Sequence, residues 1–335
     1  MVESKILLKN GSRSSAAHSG VEAYPKMISI ITPSYNQGPF IEETIQSVLF
    51  QRGEFYIDYI IMDGYSTDQS VGIIKKYEDL LKKNCSVIEK DDLNYYVKKK
   101  DDFLWNHCLG ISFRWISETD RGQVDALKKG FRMARGDIYC WLNSDDIYVQ
   151  PDVLQKVCTY FEKEPDLKLL LGDGPFISKT GKETGIHHVD KINLKELLYL
   201  DYHILQPSSF FHKDIYNETH LDEQLICAFD ADFFIRMLYN GVKYKKVNDH
   251  FAAFRLYEEN KTLRLTKTRC NEQVQIACKH SQNRFYLIVS MIYRKIRGIY
   301  ETRFNKKKPF VWLWIIVRRI CYKLVTGKWK PGDMK

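Results

Sequence analysis

At 335 residues with 44% hydrophobic side chains, the chain can bury a large core, as one large domain or two modest ones. The formal charge of +9 suggests nucleic acid until it is located: residues 302–335 hold ten Lys or Arg and one acid, leaving 41 of each sign elsewhere. A neutral body without a basic stripe argues against a nucleic-acid partner.

Residues 1–26 are polar and lack the basic, apolar, small-residue order of a signal peptide, so they are expected to be a mobile lead-in to a cytoplasmic protein. MISIIT (27–32) is a predicted strand ending at Pro33, and Ile41, Ile45, Val48 and Leu49 then mark one face of a helix. YIDYIIM (56–62) is a second strand, followed by the turn DGYSTD and a helix through Leu81. The segment from 84 to 110 is charged and spotted with aromatics, and its run of Lys and Asp at 98–102 reads as solvated surface. ISFRWIS (111–117) is a third strand, leading through ETDRG to a helix with Gly136 as its expected C-cap. IYCWL (138–142) is a fourth. Strands separated by such helices imply an α/β fold with a mostly parallel sheet covered on both faces.

In such sheets ligands bind beyond the carboxyl ends of the strands, and polar residues cluster there. Ser34 and Tyr35 follow the first strand, Asp63 the second, Asp120 the third, and Asp145 and Asp146 the fourth. The last pair, in WLNSDD, has no basic neighbour in sequence, which suits a hard divalent cation held by one or two carboxylates and phosphate oxygens. Neither a GxGxxG turn nor a GxxxxGK[ST] loop is present to cradle phosphates, so a metal must do that work. The eight cysteines form no CxxC pair, and Cys140 and Cys158 stand in apolar runs; buried free thiols are expected. His187 and His188 read as an exposed loop, because nothing acidic or thiol-bearing lies at metal spacing in sequence.

ITPSYNQ, DGYSTD and ETDRGQVDALKKGFRMARGDIYCWLNSDDIY together resemble the nucleotide half of family 2 glycosyltransferases, which have the GT-A fold. QPSSFF (206–211), LDEQLICAFDADFFIRMLYNG (221–241) and AAFRLYEENKT (252–262) resemble the acceptor half in order and spacing. The resemblance implies a nucleotide-sugar half at 27–149, an acceptor half at 150–262, and leaves 263–335 as a helical, basic extension. It implies that Pro33, Tyr35, Asp63, Asp120, Asn143 and Asp146 surround the nucleotide, with Asp63 on the base and either Asn143 or Asp146 on the ribose. Asp145 matches the metal-binding acid for Mg²⁺ or Mn²⁺, and Asp230 matches the catalytic base. Gln206, Arg236, Arg255 and Tyr257 are implied contacts to acceptor or diphosphate. The chain departs from the pattern at Asn143, Tyr65, Lys128 and Tyr257, where aspartate, glycine, asparagine and histidine are common. Taken singly, Asp145 and Asp146 could lead into a helix, Asp63 could close an Asx turn, and Asp230 could be a solvated acid; the ordered series points to a site.

The chemistry needs these residue types. Displacing a nucleoside diphosphate from a sugar C1 builds charge on the leaving phosphate, which a cation at Asp145 meets. On the opposite face a carboxylate takes the acceptor hydroxyl proton. One base on that face gives single displacement with inversion. FVWLWIIVRRICYKLV (310–325) is 16 residues long, short of the roughly 20 a spanning helix needs, and carries Arg318 and Arg319 inside. It is expected to lie on an anionic membrane surface, with Trp312 and Trp314 at the interface, or else to pack on the domain as a core helix; 285–300 forms the helix before it. The expected partners are therefore a nucleoside-diphosphate sugar, a glycan or polyprenyl-diphosphate-linked acceptor, and the inner membrane face, as in surface-polysaccharide synthesis. A nucleotide-sugar binding protein without turnover, or a nucleic-acid binder, is the alternative.

Overall fold

The computed structural model describes residues 26–98, 108–189, 191–301 and 308–329. Strand β1 (Lys26–Ser34) is followed by helix α1 (Ile41–Leu49), whose buried face carries the predicted Ile41, Ile45, Val48 and Leu49. Then come β2 (Phe55–Asp63), α2 (Ser70–Asn84), β3 (Cys85–Lys90), β4 (Leu93–Lys98), β5 (Gly110–Ser117), α3 (Gln123–Met133) and β6 (Ile138–Trp141). Strands β5, β2, β1 and β6 lie side by side and parallel. Both faces are covered, and Ile28, Ile30, Ile31, Ile57, Ile60 and Ile61 are fully buried. Near-continuous apolar strands are what two-sided burial requires.

The second half adds β7 (Ile147–Tyr148), α4 (Val153–Lys163), β8 (Leu169–Ile177), β9 (Glu183–His187), α5 (Leu194–Tyr199), β10 (Ser209–His212), α6 (Lys213–Glu218) and α7 (Phe229–Tyr239). After them come β11 (Tyr244–His250), β12 (Ala252–Arg255), α8 (Lys261–Arg264), α9 (Thr266–His280), α10 (Arg284–Ile299) and α11 (Lys308–Thr326). Antiparallel pairing of β10 with β6 and β8 carries one mixed sheet through both predicted halves.

Three expectations change. The charged segment after α2 folds into the β3–β4 hairpin, with Asp91 and Asp92 both at positive φ (51° and 60°) in its two-residue turn. Tyr95 is buried there and its hydroxyl donates to Met27 Sδ. The Lys and Asp run at 98–102 lies almost wholly outside the described residues, as do the lead-in and the ends of the basic tail. Helix α3 stops at Met133, and Gly136 serves close approach instead of capping: a Cβ there would lie 2.7 Å from Met27 O and Ser29 N of β1. His187 is the last residue of β9 and partly buried, with Nδ1 3.7 Å from the Asp173 carboxylate, while His188 Nδ1 is 2.8 Å from it. All eight cysteines are free, Cys140 and Cys158 buried. Among the described residues no helix is long and apolar enough to cross a membrane.

Candidate active site

The carboxyl ends of the parallel strands open into a cleft of about 780 Å³, closed on the other side by the start of α7 and by residues 254–265. Eight of the twelve predicted site residues line it: Pro33, Tyr35, Asp120, Asn143, Asp145, Gln206, Asp230 and Tyr257. Gly64 lets the walls meet, because a Cβ there would fall 2.6 Å from Asp120 Oδ2. Asn143 is held from three sides: its amide donates to Asp146 Oδ2 (3.0 Å) and Gln206 Oε1 (3.2 Å), and its carbonyl accepts from Gln123 (2.8 Å). Gln206 is fixed in turn by donating to Trp141 O at 2.7 Å.

The adjacent acids diverge. Asp145 faces the cleft, accepting from the Tyr257 hydroxyl at 3.1 Å and the Asn260 amide at 3.4 Å. Asp146 turns inward, 1% exposed, accepting from the Arg255 backbone N–H at 3.0 Å and from Asn143. Burial pushes both carboxyls above the usual range, Asp146 further because the charge of Asp145 adds to it. One outward carboxylate suits a cation that takes its other ligands from phosphate and water. Among the described residues no three His, Cys, Asp or Glu form a ready-made metal cage.

Four predicted residues stand outside the cleft lining, each for a physical reason. Asp63 accepts from Ser66 N (2.9 Å), Ser66 Oγ (2.5 Å) and Ser117 Oγ (2.6 Å), so its carboxylate closes the DGYSTD turn and ties it to β5. Asp146 belongs to the floor, as described. Arg255 is fully buried, and its guanidinium donates to the carbonyls of Asp145 (2.8 Å), Ser178 and Lys179 (both 3.2 Å) and to Glu43. It is a bracket behind the acidic turn, with four of its five N–H donors engaged there. It is also the basic neighbour that the sequence around WLNSDD does not reveal. Arg236 is taken by Asp232 (2.7 Å) and His220 O (2.6 Å).

Asp230 lies in the first turn of α7. Burial raises its carboxyl to about 6, opposed by nearby backbone N–H groups and by the charges of Arg269 and Lys261. The loop before it is held by a residue without a signal in the sequence: Glu272 of α9 accepts from the N–H groups of Ile226 (2.7 Å), Cys227 and Ala228 (both 2.8 Å). Lys261, also unpredicted, lines the cleft and donates to Gln123 at 2.9 Å.

Asp145 and Asp230, two carboxylates raised by burial, share one cleft at the ends of the parallel strands. The glycosyl transferase family 2 model matches residues 29–95 and 107–219, more than half of the chain. The chain belongs to that family. This family 2 glycosyltransferase is 24% identical over 234 residues to an uncharacterised glycosyltransferase of Methanocaldococcus jannaschii, covering 69% of this chain and 71% of the relative. It is 43% identical over 130 residues to the putative teichuronic acid biosynthesis glycosyltransferase TuaG of Bacillus subtilis, covering 39% and 40%. Among solved structures, S. aureus TarS 1–349 in complex with UDP-GlcNAc superposes with TM-score 0.53 at 15% identity, covering 89% of this chain and 81% of that one. The mannosyltransferase PcManGT of Pyrobaculum calidifontis, in complex with GDP-Man and Mn²⁺, gives 0.51 at 14%, covering 93% and 77%. These likenesses carry the fold, GT-A.

Proposed function

We propose that this glycosyltransferase inverts the anomeric centre, moving a sugar from a nucleoside diphosphate to a hydroxyl of a glycan or lipid-linked acceptor in surface-polysaccharide synthesis. The observation that carries the reading is Asp230, held with a carboxyl raised to about 6 in the same cleft that Asp145 lines. The acceptor hydroxyl gives its proton to Asp230 as its oxygen bonds to C1, and the C1–O bond to the diphosphate breaks with its electrons leaving on phosphate. Single displacement from the face opposite the leaving group follows from having one base there. The donor class is supported by the nucleotide sugars bound to TarS and PcManGT, and the glycan setting by the teichuronic acid role in TuaG's name.

Asp145 is the residue that would hold Mg²⁺ or Mn²⁺, and PcManGT carries Mn²⁺. When bound, such an ion neutralises charge on the departing diphosphate. Asn143 and Gln206, braced by Gln123 and Trp141 O, keep their polar groups at the nucleotide wall without reorganisation.

The enzyme would work at the inner membrane face as a peripheral protein. Helix α10 exposes Phe285, Ile288, Ile292 and Ile299 along one stripe, and α11 exposes Trp312, Leu313, Ile320 and Leu324. Exposed Lys295, Lys323 and Lys328 accompany them, which matches an anionic lipid surface in charge.

The test is a screen of nucleotide sugars for Mn²⁺-dependent release of nucleoside diphosphate, with wild type and Asp230→Asn. The variant should keep nucleotide binding by calorimetry and lose about 10² to 10⁴ in transfer rate. Normal turnover by the Asn variant would remove Asp230 from the mechanism.

A further inference from the structure

A second cavity, of about 550 Å³, lies between the β8–β9 hairpin, residues 201–203, and helices α10 and α11. It shares a loop with the active site: Asp201, Tyr202 and His203 line it, and Gln206, three residues on, lines the donor cleft. Tyr202 stands between the two, its enclosed phenol raised by burial and then by the charge of Asp230.

The lining has the chemistry of carbohydrate recognition. Sugar hydroxyls donate and accept in equal measure, so a site for them needs both kinds of polar atom, fixed and poorly hydrated, beside aromatic rings for the C–H faces. Arg297 and Arg318 are locked in place by Asp201, at 3.0 and 2.9 Å. His187 Nδ1 is enclosed 3.7 Å from the Asp173 carboxylate, beyond hydrogen-bond distance, and burial lowers that imidazole's pKa against the pull of Asp173; a neutral imidazole offers one donor and one acceptor. Phe176 meets the His187 ring edge-on, and Trp314 is stacked on Tyr300 with centroids 5.3 Å apart. Lysine and arginine are matched by glutamate and aspartate around the wall, so the cavity does not select strongly for an anion. Its volume falls within the roughly 300–1,000 Å³ of small-molecule sites.

We propose that this cavity binds sugar residues of the acceptor glycan, so that the chain, held beyond Tyr202, presents its terminal hydroxyl at Asp230. The proposal rests on the glycosyl-transfer reading above and names where the acceptor sits. It makes α10 and α11, through Arg297, Trp314 and Arg318, one wall of the acceptor site.

The experiment uses the full chain on an array of oligosaccharides containing hexoses, N-acetylhexosamines and uronic acids, with calorimetric titration of UDP and GDP in parallel. Wild type should be retained by at least one glycan. His187→Ala should weaken that retention at least tenfold with nucleotide affinity unchanged within twofold. His188→Ala, at the more exposed rim, should weaken it less and guards against a folding defect in the first variant. Equal retention of wild type and both variants, loss of retention only in the cleft variant Gln206→Ala, or no retention of wild type by any glycan would each overturn the proposal. Absence of nucleotide binding by wild type, with glycan binding intact, would count against the donor reading alone.

Discussion

The proposed role of Asp230 puts opposed demands on it. A carboxylate in a dry pocket is costly to ionise, yet a base must be ionised to take a proton. With the carboxyl raised to about 6, transfer should be flat above that pH and fall about tenfold per unit below it. A kcat/KM profile breaking near pH 4 would detach the titration from Asp230. The same shift bears on stability. The folded value exceeds the unfolded 3.8, so the folded state binds more protons between about 4 and 6, and this group's contribution declines as pH rises through that window. At this scale the sequence was legible for residue type and order, and silent on direction. Asp145 and Asp146 are neighbours in WLNSDD, but one faces the cleft and the other turns to the Arg255 N–H, 109 residues on. Asp63 and Arg255 are held by bonds the sequence does not reveal, to Ser66 and Ser117 in one case and to three carbonyls and Glu43 in the other.

The parallel strands were readable because their burial on both faces leaves a continuous apolar run, and β1, β2, β5 and β6 fall where those runs are. The β3–β4 hairpin was not, since its turn uses two aspartates at positive φ where asparagine and glycine give the strong signal. The active-site helix α7 illustrates a cap supplied from afar. Its own N-cap, Ala228, has no side-chain acceptor, and the Glu272 carboxylate on α9 takes three N–H groups of the incoming chain. A glutamine there turns an amide N–H₂ toward backbone donors. Glu272→Gln should therefore cost about 2–3 kcal/mol in denaturant unfolding. It should also lower kcat while sparing nucleotide affinity, because the loop it holds leads directly into the first turn of α7, where Asp230 lies. An unchanged midpoint would show that the three bonds are dispensable.

Over the whole molecule, the tail both packs on the domain and exposes an apolar face. Cys321, Tyr322 and Val325 enter the core, Trp314 lies on Tyr293 and Tyr300, and Arg318 pairs with Asp201. Trp314 and Arg318 are thus drawn away from the exposed face of the tail, while Trp312 stays 70% exposed and α10 contributes its own apolar stripe. Ile288→Glu with Ile292→Glu should abolish co-sedimentation with phosphatidylglycerol vesicles and leave nucleotide binding intact. Undiminished sedimentation of that variant would rule out α10 as part of a membrane face.

The chain by itself determined the α/β class, the order of the elements and the identity of the acids at the strand ends, because helical and strand periodicities are local and survive without partners. Only the tertiary structure decided which of those acids face the cleft, where the arginines are consumed, and that the C-terminal helices wall a second cavity. Those outcomes depend on burial and on hydrogen-bond partners up to 212 residues away, as between Glu43 and Arg255.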